Sequence, residues 1–352
     1  MIIPTEPIGS IPRPAYLIDA LSDRASGRIT EEALKELSRR ALKETVTALE
    51  QTGSPVISDG EQTKPSFATY PIHGAQNLSA GGVVIPFKDG HTRQLPVLAS
   101  GPFKYQRYAD DYLREARLLS SRPVKQAVIS ASAMSLLYPS DGIPNYSREQ
   151  FVNDLLSEAE KDIRRCLDSG AYNVQIDFTE ARLAIKLDPS KSLLKMFIDL
   201  NNQLLGRFTV QERKRIGIHS CPGGDHDSTH SADVDYGDLL PELFQLEAGN
   251  FYLTFAGEKD KTSVLKQIKS SLKTGQRVFL GVTDVLNPRI ETPEEVSSLL
   301  VQAATYIPID QLGSCDDCGF SPFADDRSTA REIAFSKIKA RVLGTQLAAS
   351  KL

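Results

Sequence analysis

The feature that most limits what this 352-residue chain can become is an alternation of short β-branched or apolar runs with amphipathic stretches of helical period. Runs at Pro55–Ser58, Gln126–Ala131, Asn173–Ile176, Ile216–His219, Phe251–Phe255, Val278–Val282 and Gln311–Ser314 predict strands. Between them, Glu31–Thr52, Arg148–Ser169, Leu193–Leu205, Tyr236–Leu246, Asp260–Leu272 and Pro293–Tyr306 repeat apolar residues at helical spacing and predict helices. Parallel strands need a crossover long enough to be a helix, so this alternation predicts a parallel α/β sheet. Seven or eight such units spread over the chain predict one domain, residues 1–352, closed as a (β/α)8 TIM barrel.

One stretch breaks the alternation. Gly81–Ser100 holds two extended runs around the turn pair Asp89-Gly90, which predicts a β-hairpin insertion near residues 81–100, a wall beside the site. A final helix over Thr329–Leu347 is expected to pack outside the barrel and leave the tail free. There Ser350-Lys351-Leu352 spell a peroxisomal import address, so a eukaryotic source predicts a peroxisomal protein and any other source a cytoplasmic one.

Composition narrows the class of partner. With 40% hydrophobic and 24% charged residues the chain can bury a core, and its net charge of -4, with basic residues scattered, shows no nucleic-acid footprint. No run approaches the roughly 18 to 20 apolar residues of a membrane span, and the N-terminus lacks a signal-peptide pattern. A small-molecule substrate is the expectation, with a homo-oligomer left open. The four cysteines, two of them in CDDC, do not form a disulfide framework and are available as metal ligands.

In a barrel of this kind chemistry sits just past the C-terminal ends of the strands. Those positions carry Asp59 and Glu61, Asp177 and Glu180, His219 and Cys221, Glu258, Asp284, and Asp316, Asp317 and Cys318. His219 and Cys221 stand two apart on an extended segment, so their side chains project to one side and can reach one metal ion. Cys318 arrives from the last strand. Each of the three alone could be an ordinary core residue; together they suit Zn2+, with one coordination position left for substrate. Two thiolates restrain the Lewis acidity of zinc while it lowers the pKa of a bound thiol, which favours thiol alkylation over hydrolysis. Cys315 reads as a bystander. Gly223-Gly224-Asp225 reads either as an anion cradle or as a tight βα turn, and His226 and His230 as solvated loop residues.

The segments HSC at 219–221, CDDCGF through Phe320, IGSIPRP with Ser10, VISDGE with Glu61 and QIDFTEARL with Asp177 resemble, in order, the catalytic half of cobalamin-independent methionine synthases. The resemblance implies a (β/α)8 barrel whose zinc activates homocysteine to take a methyl group from 5-methyltetrahydrofolate. By position it implies His219, Cys221 and Cys318 as catalytic zinc ligands, Glu61 and Asp177 as carboxylates for the homocysteine amine, and Ser10 near its carboxylate. The family's fourth ligand, a Glu after the sixth strand, falls here at Thr254 or Phe255. Either Glu258 swings in as a metal ligand or three protein ligands suffice. The chain has no tryptophan to stack a pterin and no second, folate-assisting barrel. HSCPGGDHDSTHS and DDCGFSPF resemble more closely the stand-alone branch that includes epoxyalkane:coenzyme M transferases, which implies thiol addition to an epoxide as the alternative. A metal-free barrel of the uroporphyrinogen decarboxylase type, or a binding protein with a vestigial site, is the reading from another class.

Overall fold

The computed structural model describes residues 2–352. Six strands, β1 (Gln126–Ile129), β2 (Val174–Asp177), β3 (Ile216–Ser220), β4 (Asn250–Leu253), β5 (Arg277–Gly281) and β6 (Leu312–Cys315), lie parallel in sequence order. Single parallel bridges extend both edges: Thr5 beside Ser314 of β6, and Ile57 beside Val124 just before β1. The two added segments meet each other where the Ile11 N–H donates to the Gly60 carbonyl at 3.0 Å and the Ser58 hydroxyl to the Gly9 carbonyl at 2.7 Å. Eight staves therefore close the ring, and the fold is the expected TIM barrel.

Two staves are thinner than the sequence suggests. Pro55–Ser58 makes a one-residue bridge rather than a strand, and the Thr5 stave was not anticipated. Pro4, Pro7, Pro12 and Pro14 interrupt that N-terminal segment, so it presents no apolar run and too few N–H donors for a ladder. The predicted strand Phe251–Phe255 ends at Leu253, because the N–H groups of Phe255, Ala256 and Gly257 turn away to the Asp317 carboxylate. Both Tyr236–Leu243 and Pro293–Ala303 form helices that stop three residues short of expectation.

The hairpin insertion is present. Val84–Pro86 pairs antiparallel with Thr92–Gln94, and Leu78–Ser79 with Val97–Leu98 below it. Its tip folds over the barrel mouth, the Lys88 N–H donating to the Thr229 carbonyl at 3.0 Å and the Asp89 N–H to Ser228 Oγ at 3.2 Å.

The last helix runs Arg331–Lys351, so the expectation of a free tail is corrected: Ser350 and Lys351 are helical, and Lys351 Nζ donates to Ser297 Oγ at 3.1 Å. Gly344 lets this helix lie against the Pro293–Ala303 helix, since a Cβ there would stand 2.4 Å from Val296 Cβ. On its inner face Arg341, fully buried, pairs with Asp316 at 2.9 Å and donates to the Glu6 carbonyl. Removing one partner strands the other charge in a dry interior. Arg341→Met is expected to lower unfolding free energy by about 3–5 kcal/mol, and Arg341→Met with Asp316→Asn by less. Urea melts check both, and equal losses would contradict the pairing.

Candidate functional site

Three donor atoms converge at the C-terminal rim of the barrel. His219 lies in β3, paired across the sheet with Asp177 on β2 and Tyr252 on β4. Its Nδ1 contacts the Tyr252 carbonyl at 3.1 Å, which aims Nε2 away from the sheet, buried and without a hydrogen-bond partner. Cys221 follows one residue past the end of β3, and Cys318 three residues past β6. The donor atoms of all three lie within 4.8 Å of one another, and the two sulfurs are 2.8 Å apart. The two sulfurs stand in hydrogen-bond contact: that bond holds the Cys318 thiol well below its usual range, and the same bond with burial pushes Cys221 up. An orphaned buried imidazole nitrogen costs free energy unless something binds it, and one N with two S donors is a zinc set. Among the described residues no other cluster of His, Cys, Asp or Glu converges in this way.

Asp317 fixes the approach to Cys318. Its carboxylate accepts N–H groups from Phe255, Ala256 and Gly257 at 2.7, 2.9 and 2.6 Å, tying the loop after β6 to the turn after β4. Burial lifts this carboxyl to about 7, with the three N–H donors pulling the other way.

The cluster opens into a cavity that also reaches Ser10, Glu61 and Asp177. Ser10 is held against the loop after β6, its Oγ accepting the Ser321 N–H at 3.2 Å and its carbonyl the Phe320 N–H at 3.0 Å. Glu61 sits in a left-handed turn, φ 54°. Arg13 pins that turn by donating to the carbonyls of Glu61 and Lys64 at 2.6 and 2.8 Å, and Lys64 Nζ meets Glu61 Oε1 at 3.2 Å. Burial raises the Glu61 carboxyl to about 7, against the pull of Lys64. Asp177, also raised by burial, accepts from Gln175 Nε2 at 2.7 Å. The cavity thus sets two carboxyls and a hydroxyl beside the N/S cluster.

Glu258 does not join the cluster. Arg182 holds its carboxylate at 2.7 Å in a neighbouring cavity, which corrects the reading of Glu258 as a swung-in ligand. At the matching position Thr254 donates to the Asp317 carbonyl at 3.0 Å. His230 is buried, not solvated: it lines the cavity, and burial beside Lys186 and Arg182 lowers its pKa to about 4. Gly224–Asp225 is one arm of a small hairpin, pairing with Ser228–Thr229, rather than a tight βα turn. Sequence reasoning missed Arg93. From the inserted hairpin it spans Asp225 at 2.5 Å and Asp325 at 2.9 Å and stacks 4.2 Å over Phe323, closing the cavity with Ile85 and Phe87. Only its place in a predicted hairpin wall hinted at this.

The profile of the family described as "Cobalamin-independent synthase, Catalytic domain" matches residues 3–333. The methionine synthase of Sulfurisphaera tokodaii is 23% identical over 100% of this chain and 94% of its own length. That of Thermococcus kodakarensis is 23% identical over 100% and 95%. Among solved structures, a B12-independent methionine synthase from Shewanella sp. W3-18-1, in complex with selenomethionine, superposes with a TM-score of 0.76 at 19% identity, covering 100% of this chain and 99% of that one. This last likeness bears on the fold.

Gly319 gives a check on the packing here, since a Cβ on it would stand 2.2 Å from Ser10 Oγ. Gly319→Ala should destabilise by about 1–3 kcal/mol through overpacking, and Ser10→Gly in the same chain should recover most of that. Urea unfolding of the single and double variants measures it; no recovery would show that this contact is not limiting.

Proposed function

We propose that this chain, which belongs to the cobalamin-independent methionine synthase catalytic-domain family, alkylates the sulfur of a small amine-bearing thiol, with homocysteine as acceptor. The family is one of methyltransferases, and the chain is an enzyme of that kind. The observation that carries the finer reading is one cavity holding an N/S/S donor set together with Glu61, Asp177 and Ser10. Zinc held by His219, Cys221 and Cys318 would supply a thiol kept as thiolate at neutral pH with its sulfur still nucleophilic. The residues do the rest. Glu61 and Asp177 take the substrate ammonium, Ser10 and the neighbouring backbone lie near its carboxylate, and the span between them and the sulfurs selects chain length. Ile85, Phe87 and Phe323 keep water from the reacting sulfur.

Methyltetrahydrofolate, the donor implied by resemblance, and an epoxide are the two electrophiles to try first. Among the described residues no helix is long and apolar enough to cross a membrane, and small-molecule substrates fit the family. The archaeal relatives lend no support to a peroxisomal location.

Purified protein is expected to carry one zinc per chain, lost in Cys318→Ser, and to convert homocysteine to methionine with a methyl donor, read by mass spectrometry. A fully active metal-free protein would falsify the zinc assignment. The pH dependence follows from Glu61, whose carboxyl is raised to about 7. A raised carboxyl is protonated below that value and cannot hold an ammonium as an ion pair, so affinity should rise as pH climbs through about 7. KM for homocysteine should fall over that range, whereas 4-mercaptobutyrate, which lacks the amine, should show no such change. Parallel profiles for both thiols would remove Glu61 from amine recognition.

A further inference from the structure

Glu61 and Asp177 are held in the same manner. Lys64 Nζ donates to Glu61 Oε1 at 3.2 Å and to the Ala127 carbonyl at 2.9 Å. Gln175 Nε2 donates to Asp177 Oδ1 at 2.7 Å and to the Ile8 carbonyl at 3.0 Å. Each carboxylate thus has one oxygen tied, through a buried side chain, to a backbone carbonyl of the barrel, while the residue itself lines the cavity. The holders differ in charge: Gln175 is neutral and Lys64 is a cation.

Lys64 acts from behind the site. It is buried and does not line the cavity. Its ammonium also stands 4.8 Å over the Tyr70 ring, so its donors are taken and none is left for a substrate. Burial opposes its charge, but Glu61, Asp59 and Asp177 outweigh burial and hold the ammonium above its usual range. Apolar residues of similar volume would serve stability as well as a buried ion pair does, so packing alone gives no reason for a lysine here.

The balance of charge gives it a task. Facing Glu61 are Asp59 and Lys64 on its own loop, Arg13 on the N-terminal segment and Asp177 at the end of β2. Three carboxyls against two cations leave one net negative charge, the complement of one ammonium. Without Lys64 the three carboxyls would face Arg13 alone, and like charges this close do not all stay ionised. Glu61, already lifted to about 7 by burial, would be the one to keep a proton.

We propose that Lys64 is a positioning residue for the amine: bound to Glu61 Oε1, it supplies the countercharge that makes the Glu61 and Asp177 pair a receptor for a single ammonium and leaves Glu61 Oε2 to receive it. This rests on the thiol reading and identifies what sets the charge of its amine site. The matching substrate class is a thiol with one positive charge, as homocysteine has.

The test follows homocysteine binding by calorimetry between about pH 6 and 9 in the full zinc-loaded chain. Lys64→Gln keeps a hydrogen-bond donor and removes the charge. The pH at which affinity rises should move up by at least about one unit, with affinity near pH 7 weakened about fivefold or more. Lys64→Arg keeps the charge and should hold the wild-type midpoint. The thiol 4-mercaptobutyrate, without an amine, should show no shift in either variant. The same rise is expected between Asp59→Asn and the double variant Asp59→Asn with Lys64→Gln, whose charges are closer to balance, so the comparison survives a failure of Lys64→Gln alone to fold. An unmoved midpoint on loss of the Lys64 charge, or an equal shift in Lys64→Arg, would overturn the proposal. If the wild-type chain binds homocysteine at no pH, the thiol reading fails by itself. The Glu61 carboxyl, identified by infrared difference against Glu61→Gln in thiol-free protein, then decides for Lys64: a titration raised in Lys64→Gln supports the role, and an unmoved one ends it.

Discussion

The rim of the barrel depends on one carboxylate. Asp317 takes three successive N–H groups from the turn after β4, and these donors would otherwise be unpaired in a buried loop. Because Asp317 directly precedes Cys318, satisfying those donors also sets where the second sulfur comes to rest. The close fit extends to Gly281 at the end of β5, where a Cβ would stand 2.0 Å from Asp317 Oδ1. One side chain thus joins the ends of three strands. The distance between Cys221 and Cys318, which belong to elements 97 residues apart, follows from that junction.

The same region concentrates charge in a way that ordinary packing does not require. Lys64 with Glu61, Arg341 with Asp316 and Lys337 with Glu291 are almost wholly buried pairs. Burying ions is costly, and replacing such pairs by apolar residues is often neutral for stability. Around the cavity their value is geometric. Lys64 and Arg13 together hold Glu61 in a left-handed conformation that a non-glycine residue adopts only when its surroundings enforce it. The strain aims a carboxyl into the cavity that a relaxed turn would send elsewhere.

The inserted hairpin works by a third means. It adds no donor to the N/S/S cluster, but Arg93 clamps it to Asp225 and Asp325 on loops from opposite sides of the mouth. Covered this way, the cluster sits in a low-dielectric pocket where a thiolate is less hydrated and its sulfur more reactive. His91 stacks on Phe87 at 4.3 Å and contacts Asp225 at 3.1 Å, reinforcing the same clamp.

Read alone, the sequence determined the α/β class, the six regular strands to within a residue or two at most ends, the hairpin insertion, and His219, Cys221 and Cys318 as residues of one site. Those features rest on local pattern: periodicity, turn pairs, and reactive residues just past apolar runs. Tertiary structure decided what local pattern cannot carry. Thr5 and Ile57 complete the barrel through single bridges, too short to leave a periodic signature. Glu258 is removed from the cluster because Arg182, 76 positions away, claims its carboxylate. Arg93 reaches the cavity because its hairpin folds across the mouth, and Phe87 from that hairpin packs edge-on against the buried His230. A side chain's neighbours across a closed barrel come from distant segments, so which charge is satisfied and which donor atom is left free is settled by closure.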